Sequence, residues 1–113
     1  VALVYVALDS PELNVLRVAE RVSRGGHDIP AEVIRRRYDT AFGRLPHALR
    51  LADNSLLFDN SGREPRMLLT LERGEIVENH LDEAIPLHVR LAEALAEALD
   101  LGTDAVFRAA RYT

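Results

Sequence analysis

The first eight residues, Val-Ala-Leu-Val-Tyr-Val-Ala-Leu, constrain this chain more than any other segment, because they are apolar almost without interruption and rich in valine. A run of this kind, far too short to span a bilayer, is the pattern of a strand buried on both faces of a parallel sheet, and it predicts a central strand. The next residues feed that strand into a helix. Ser10 offers a hydroxyl as N-cap and Pro11 suits the first turn. Val15, Val18, Ala19 and Val22 then recur at helical spacing until Gly25 and Gly26 stop the helix. A buried strand leading into a helix through a short turn places the chain in the α/β class.

After the His27-Asp28-Ile29-Pro30 loop, a second helix is predicted from about Ala31, with Ile34, Tyr38, Ala41 and Leu45 on one face and Pro46 ending or kinking it. Residues 47–52 read as a further helical turn. Ser55 to Phe58 reads as another short buried strand, closing at Asp59-Asn60-Ser61-Gly62. Met67 to Leu71 and Glu75 to Val77, separated by Arg73-Gly74, predict a small β-hairpin that covers a sheet edge. From Pro86 onward Leu87, Leu91, Leu95 and Leu99 form a ridge at four-residue spacing, and Thr103 is expected to cap a last short helix ending near Arg111.

At 113 residues, 48% of them hydrophobic, the chain has enough apolar surface for one core, so residues 1–113 read as a single domain. The first residue already lies inside an apolar run and is not methionine, which predicts a longer parent protein with this chain as its C-terminal portion. A net charge of -4 argues against a general binder of nucleic acid or anionic membrane. Without cysteine there is neither a disulfide framework nor a thiolate metal site, and a cytoplasmic setting is expected. His80, Asp82, Glu83 and His88 match no familiar metal spacing, so no metal site is expected there.

Charge is unevenly spread. Between Arg17 and Arg50 eight arginines stand against the four acids Glu20, Asp28, Glu32 and Asp39. Arg17, Arg21 and Arg24, spaced by four and three, fall on one stripe of the first helix, where they repel one another unless an anion sits opposite. A plain alternative is a solvated face balanced by Glu20, Asp28 or Glu32. Arg35, Arg36 and Arg37 point about 100° apart on the second helix, so at most one or two can join the first stripe, and Arg35 reads as a solubilising residue. Two arms hinged at Gly25-Gly26 let planar guanidinium forks converge on phosphate oxygens.

The order of these features resembles the end of the core and the lid of P-loop kinases. More narrowly, Arg17-Val18-Ala19-Glu20-Arg21-Val22, Gly25-Gly26-His27-Asp28-Ile29-Pro30, Ile34-Arg35-Arg36-Arg37-Tyr38 and Ser55-Leu56-Leu57-Phe58-Asp59-Asn60-Ser61-Gly62 resemble the zeta-toxin-like kinases. The resemblance runs from about Leu3 to Val77 and fades over the leucine-rich end. It implies a P-loop NTPase-like parallel sheet with flanking helices, and an arginine-bearing helix-loop-helix lid at about 17–45. It also implies an ATP-dependent phosphotransferase that uses Mg2+ and a small-molecule acceptor in the intact protein. In that picture Arg17 and Arg21 lie nearest the nucleotide. Arg24, Arg36 or Arg37 acts as the closing arginine, a role generally worth about 10³ to 10⁵ in rate. Asn60, just past a strand end, either lines the purine pocket or is a turn residue bonding its own backbone. His27 either donates to a phosphate or caps the hinge.

No Gly-x-x-x-x-Gly-Lys-Ser/Thr occurs in the chain, so the phosphate cradle, its lysine and the magnesium-ligating hydroxyl are missing, and this chain alone is expected neither to bind ATP or Mg2+ tightly nor to turn over ATP. The zeta-toxin family includes kinases of UDP-N-acetylglucosamine, but the acceptor is not readable from these residues. Two other readings compete. One is a non-enzymatic binding module, whose paired helices around Gly25-Gly26 meet an acidic partner or a nucleic-acid phosphate. The other is a toxin or antitoxin component that self-associates through the leucine ridge or an exposed sheet edge.

Overall fold

The computed structural model describes residues 1–111. Strand β1 (Ala2–Ala7) leads through Ser10 into helix α1 (Pro11–Ser23), and helix α2 (Ala31–Leu51) returns the chain to strand β2 (Asn54–Asp59). Strands β3 (Arg66–Glu72) and β4 (Glu75–Asn79) form a hairpin, followed by helices α3 (Pro86–Leu99) and α4 (Thr103–Arg108). The sheet runs β1-β2-β3-β4, with β1 and β2 parallel and the other two pairs antiparallel. It is a mixed α/β sheet with flanking helices.

Local chemistry accounts for the element ends. The Ser10 hydroxyl accepts from the Leu13 N–H at 3.3 Å, and Pro11 sits in the first turn, where a missing N–H costs nothing. Helix α1 closes in a tight glycine cap. Gly25 N–H donates to Val22 O at 3.0 Å and Gly26 N–H to Arg21 O at 2.8 Å, with Gly25 at φ +93°. A Cβ on Gly26 would meet Arg21 O at 2.9 Å, so only glycine allows the chain so close. The pair thus closes α1 through main-chain bonds and a close approach that glycine permits. Arg73 and Gly74, both at positive φ, make the tight turn of the β3-β4 hairpin.

Three sequence expectations are corrected. The valine-rich run predicts a central strand, yet β1 lies at the sheet edge, with Val4 57% and Val6 52% exposed. Leu3, Tyr5 and Ala7 instead face the core, and an unbroken apolar run carries no alternation to reveal which face is covered. Pro46 does not end its helix: α2 passes through it to Leu51, because Leu45, Pro46 and Leu49 are all buried, and that packing outweighs one lost backbone bond. Leu87, Leu91 and Leu95 of the leucine ridge are buried in the core, the reading that their spacing favours. Leu91 and Leu95 are fully buried with Leu45, Leu57 and Leu69, each worth about 1.5–3 kcal/mol of burial. Thr103 opens α4, whose N-cap is Gly102, with no side-chain capping bond.

Two buried polar residues fasten the C-terminal half. The Asn79 amide nitrogen donates to Val106 O at 2.8 Å and Ala109 O at 2.9 Å, and its oxygen accepts from Leu81 N–H at 3.0 Å. One side chain thus satisfies carbonyls at the end of α4 that a short helix leaves unpaired. In the first turn of α3 buried His88 accepts from the Asp82 N–H through Nδ1 at 2.8 Å. His80, by contrast, is exposed and pairs through Nε2 with exposed Glu78 at 3.0 Å.

Burial holds the His88 imidazole below its ordinary value of 6.5, while Asp59 and Asp82 pull the other way and Arg66 adds to the depression. The unfolded chain then takes up this proton more readily than the folded chain. Stability from His88 is complete above about pH 6.5 and is lost as pH falls through the lower folded value. His88→Asn, which retains an acceptor for Asp82 N–H but cannot titrate, is expected to flatten the acid limb of urea-unfolding stability below about pH 6.5. An unchanged slope in the variant would contradict this.

Candidate functional site

The parallel pairing of β1 with β2 sends both strands out at the same end of the sheet, where open α/β sheets present ligand-binding loops. The two exits are stitched together. Asn60 N–H donates to Ala7 O at 2.8 Å, and Asp9 N–H donates to the Ser61 hydroxyl oxygen, also at 2.8 Å. Ser61 N–H donates in turn to Asp59 Oδ1 at 2.9 Å, a local turn bond that fixes the loop. Tyr38 of α2 reaches the first exit from the other side, its hydroxyl donating to Leu8 O at 2.6 Å.

A cavity of about 600 Å³ opens above these exits, walled by α1 on one side and α2 on the other. Its floor is Tyr5, Val6, Ala7 and Leu8. Asn14, Arg17, Glu20 and Arg21 line it from α1, Arg37, Tyr38 and Ala41 from α2, and Asn60 from the loop after β2. Three guanidinium groups therefore face one concavity against a single carboxylate, Glu20, an electrostatic setting that favours an anion. Arg17 donates to Ser61 O and Gly62 O, each at 3.3 Å. Among the described residues the arginine–carboxylate pairs are Arg35 with Glu12 and Arg90 with Asp39, both at 3.2 Å, so Arg21 and Arg37 are not neutralised by an acid.

Aromatic packing sets the rotation of α2. The Tyr5 and Phe42 rings meet edge-on at 5.7 Å, Tyr38 and Phe42 lie 5.3 Å apart, and the Arg90 guanidinium stacks 4.1 Å over Phe42. With Tyr38 and Phe42 turned inward, Arg37 stands on the flank beside the cavity, and Arg36, one residue back, points elsewhere. Burial pushes the Tyr5 phenol up to about 12, with Tyr38 adding to the rise and Arg90 opposing it. Burial likewise raises Tyr38, against the pull of Arg90. Both phenols stay neutral donors at ordinary pH.

Of the residues singled out in the sequence, Arg17, Arg21, Arg37 and Asn60 come together at this cavity, whereas Arg24, Arg36 and His27 are not on its wall. Arg24 is the C-cap of α1, where the backbone has already left helical geometry, so the stripe shifts one turn toward Asn14. His27 is exposed in the connecting loop, beyond the glycine cap. Asn14, Glu20 and Tyr5 are wall residues that sequence reasoning passed over. Asn14, three residues before Arg17, was recoverable from helical spacing. Tyr5 required knowing which side of β1 is covered.

Among the described residues no group of three or more His, Asp or Glu side chains is arranged to hold a metal ion, and no helix is long and apolar enough to cross a membrane. No protein-family model, curated protein or solved structure matches the chain.

The hydroxyl of Tyr38 is the bond that fixes α2 to the floor of the cavity. Tyr38→Phe keeps the ring but loses the bond to Leu8 O, with an expected cost of about 1 kcal/mol in urea unfolding and faster amide exchange at Asp9. A stability change near zero with unchanged exchange would mean that this bond does not hold the strand exit.

Proposed function

We propose that the chain is the C-terminal part of an ATP-dependent phosphotransferase of the zeta-toxin-like kind, in which arginines from two helical arms grip the nucleotide phosphates. The observation that carries the reading is the shared cavity: Arg21 of α1 and Arg37 of α2, both without an acidic partner among the described residues, border one space at the parallel strand ends. Planar forks arriving from two directions suit a polyphosphate, whose charge is spread over several oxygens. Its volume lies within the range usual for small-ligand pockets, and its floor of Val6, Ala7 and Leu8 gives a base or ribose an apolar seat.

In a complete enzyme of this class the phosphate cradle and a Mg2+-ligating hydroxyl come from a Gly-Lys-Ser/Thr loop that this sequence lacks, and a strand-end Asp supplies a further Mg2+ ligand. Among the described residues Glu20 is the cavity's carboxylate, and it adjoins Arg21 and shares a wall with Arg17, a positive setting that opposes a cation. The residues here therefore fit the anion and not the metal. Their part is to position the phosphates and to stabilise charge on the group in flight. Arg37 takes the closing-arginine place that the sequence leaves open among Arg24, Arg36 and Arg37. The binding-module reading has less support, because the three guanidinium groups border a concavity instead of projecting from one helix toward a groove.

Titration calorimetry of the chain with ATP tests the proposal. Arg21→Ala and Arg37→Ala are each expected to weaken binding about tenfold, or about 1.4 kcal/mol, with thermal stability preserved. Arg24→Ala and Arg36→Ala are expected to leave the affinity within about twofold. Equal effects from all four substitutions would reduce the site to diffuse charge and remove the clamp.

A further inference from the structure

Arg17 differs from the two arginines beside it. Its Nη2 atom donates to two successive main-chain carbonyls, Ser61 O and Gly62 O, at 3.3 Å each. Its side chain is half-buried, whereas Arg21 and Arg37 are exposed. The segment it grips also carries Asn60, the cavity's one contribution from the loop after β2. That loop is tied to the exit of β1 by Asn60 N–H to Ala7 O and by Asp9 N–H to Ser61 Oγ. Arg17 adds the third anchor, from α1, and it is the one that spans two helix-and-loop elements otherwise separated by 44 residues of sequence.

We infer that Arg17 is a positioning residue: it holds the 59–62 loop against α1 so that Asn60 faces the nucleoside end of the ligand, while Arg21 and Arg37 meet its phosphates. This division of labour rests on the phosphotransferase reading for the identity of the ligand, but the anchoring itself does not. The chemistry calls for arginine. A rigid guanidinium keeps two donors of one nitrogen directed at adjacent carbonyls and leaves Nε and Nη1 for other contacts, whereas a lysine ammonium on a mobile stem fixes no such geometry. Selectivity then comes from the loop and grip from the arginine pair, so the two are separable by substitution.

Two measurements on the chain separate them. In the first, ATP and tripolyphosphate are titrated into wild type, Arg17→Ala and Arg21→Ala. Wild type is expected to prefer ATP by about tenfold. Arg17→Ala loses that preference while its tripolyphosphate affinity stays within about twofold, and Arg21→Ala weakens both ligands together. A parallel loss of both ligands in Arg17→Ala would make Arg17 a direct phosphate contact and overturn the inference, as would a wild type without preference for ATP.

The second measurement is amide hydrogen exchange without ligand. Exchange at Asn60 and Ser61 is expected to quicken about tenfold in Arg17→Ala, with global stability maintained, and not in Arg21→Ala. Unchanged protection in Arg17→Ala overturns the anchoring whether or not either probe binds. Failure of wild type to bind both probes would end the phosphotransferase reading instead, and the exchange result would still decide the role of Arg17.

Discussion

Six parallel residue pairs, from Ala2 with Asn54 to Ala7 with Asp59, hold β1 against β2, and the site depends on their shared direction. Parallel strands leave a sheet at the same end, so the turn at 8–10 and the loop at 60–62 become neighbours although some fifty residues separate them. The connection between them must then be long enough to cross back, and here it consists of α1 and α2. Helix α1 starts beside the strand exits, and α2 passes them at Tyr38, whose hydroxyl reaches Leu8 O. The cavity is what remains between two helical walls and a two-strand floor.

Burial and charge divide the labour on α2. Its inward face, Ile34, Tyr38, Phe42, Leu45 and Leu49, anchors the helix in the core. Rotation about the helix axis is thereby fixed, which leaves Arg37 on the cavity flank. Helix α1 is held differently: Val18 is its buried residue, and the Ser10 cap, the glycine cap and the Arg35–Glu12 pair supplement that small contact. A lightly packed helix carrying two cavity arginines and a firmly packed one carrying the third form a pair in which one arm yields more readily than the other. Three guanidinium groups beside the one carboxylate Glu20, among the described residues, repel one another, a cost that an anion in the cavity would relieve.

Much of this arrangement was legible in the residues themselves. Ser10-Pro11 and Gly25-Gly26 bracket α1 because capping chemistry is local, and Arg73-Gly74 marks the hairpin turn for the same reason. Arg17, Arg21 and Asn60 could be singled out from spacing and from position after a strand. The choice between Arg36 and Arg37 could not, since adjacent helical residues differ by 100° and only the tertiary burial of Tyr38 and Phe42 sets the rotation. Nor could the edge position of β1: alternating exposure was hidden because both faces of Val1 to Leu8 carry apolar side chains. Continuation of α2 through Pro46 reflects tertiary packing overriding a local breaker. The Asn79 clamp on the end of α4 joins residues 27 to 30 positions apart and has no local signature.

The central claim is that arginines on separate helices act on one anion as a unit. A double-mutant cycle of Arg21→Ala and Arg37→Ala, read by calorimetric titration with tripolyphosphate, tests it most directly. The account predicts that the loss in the double variant departs from the sum of the single losses by about 1 kcal/mol or more. Additive losses, agreeing within about 0.3–0.5 kcal/mol, would mean that the two guanidinium groups act independently, and the converging clamp would be contradicted.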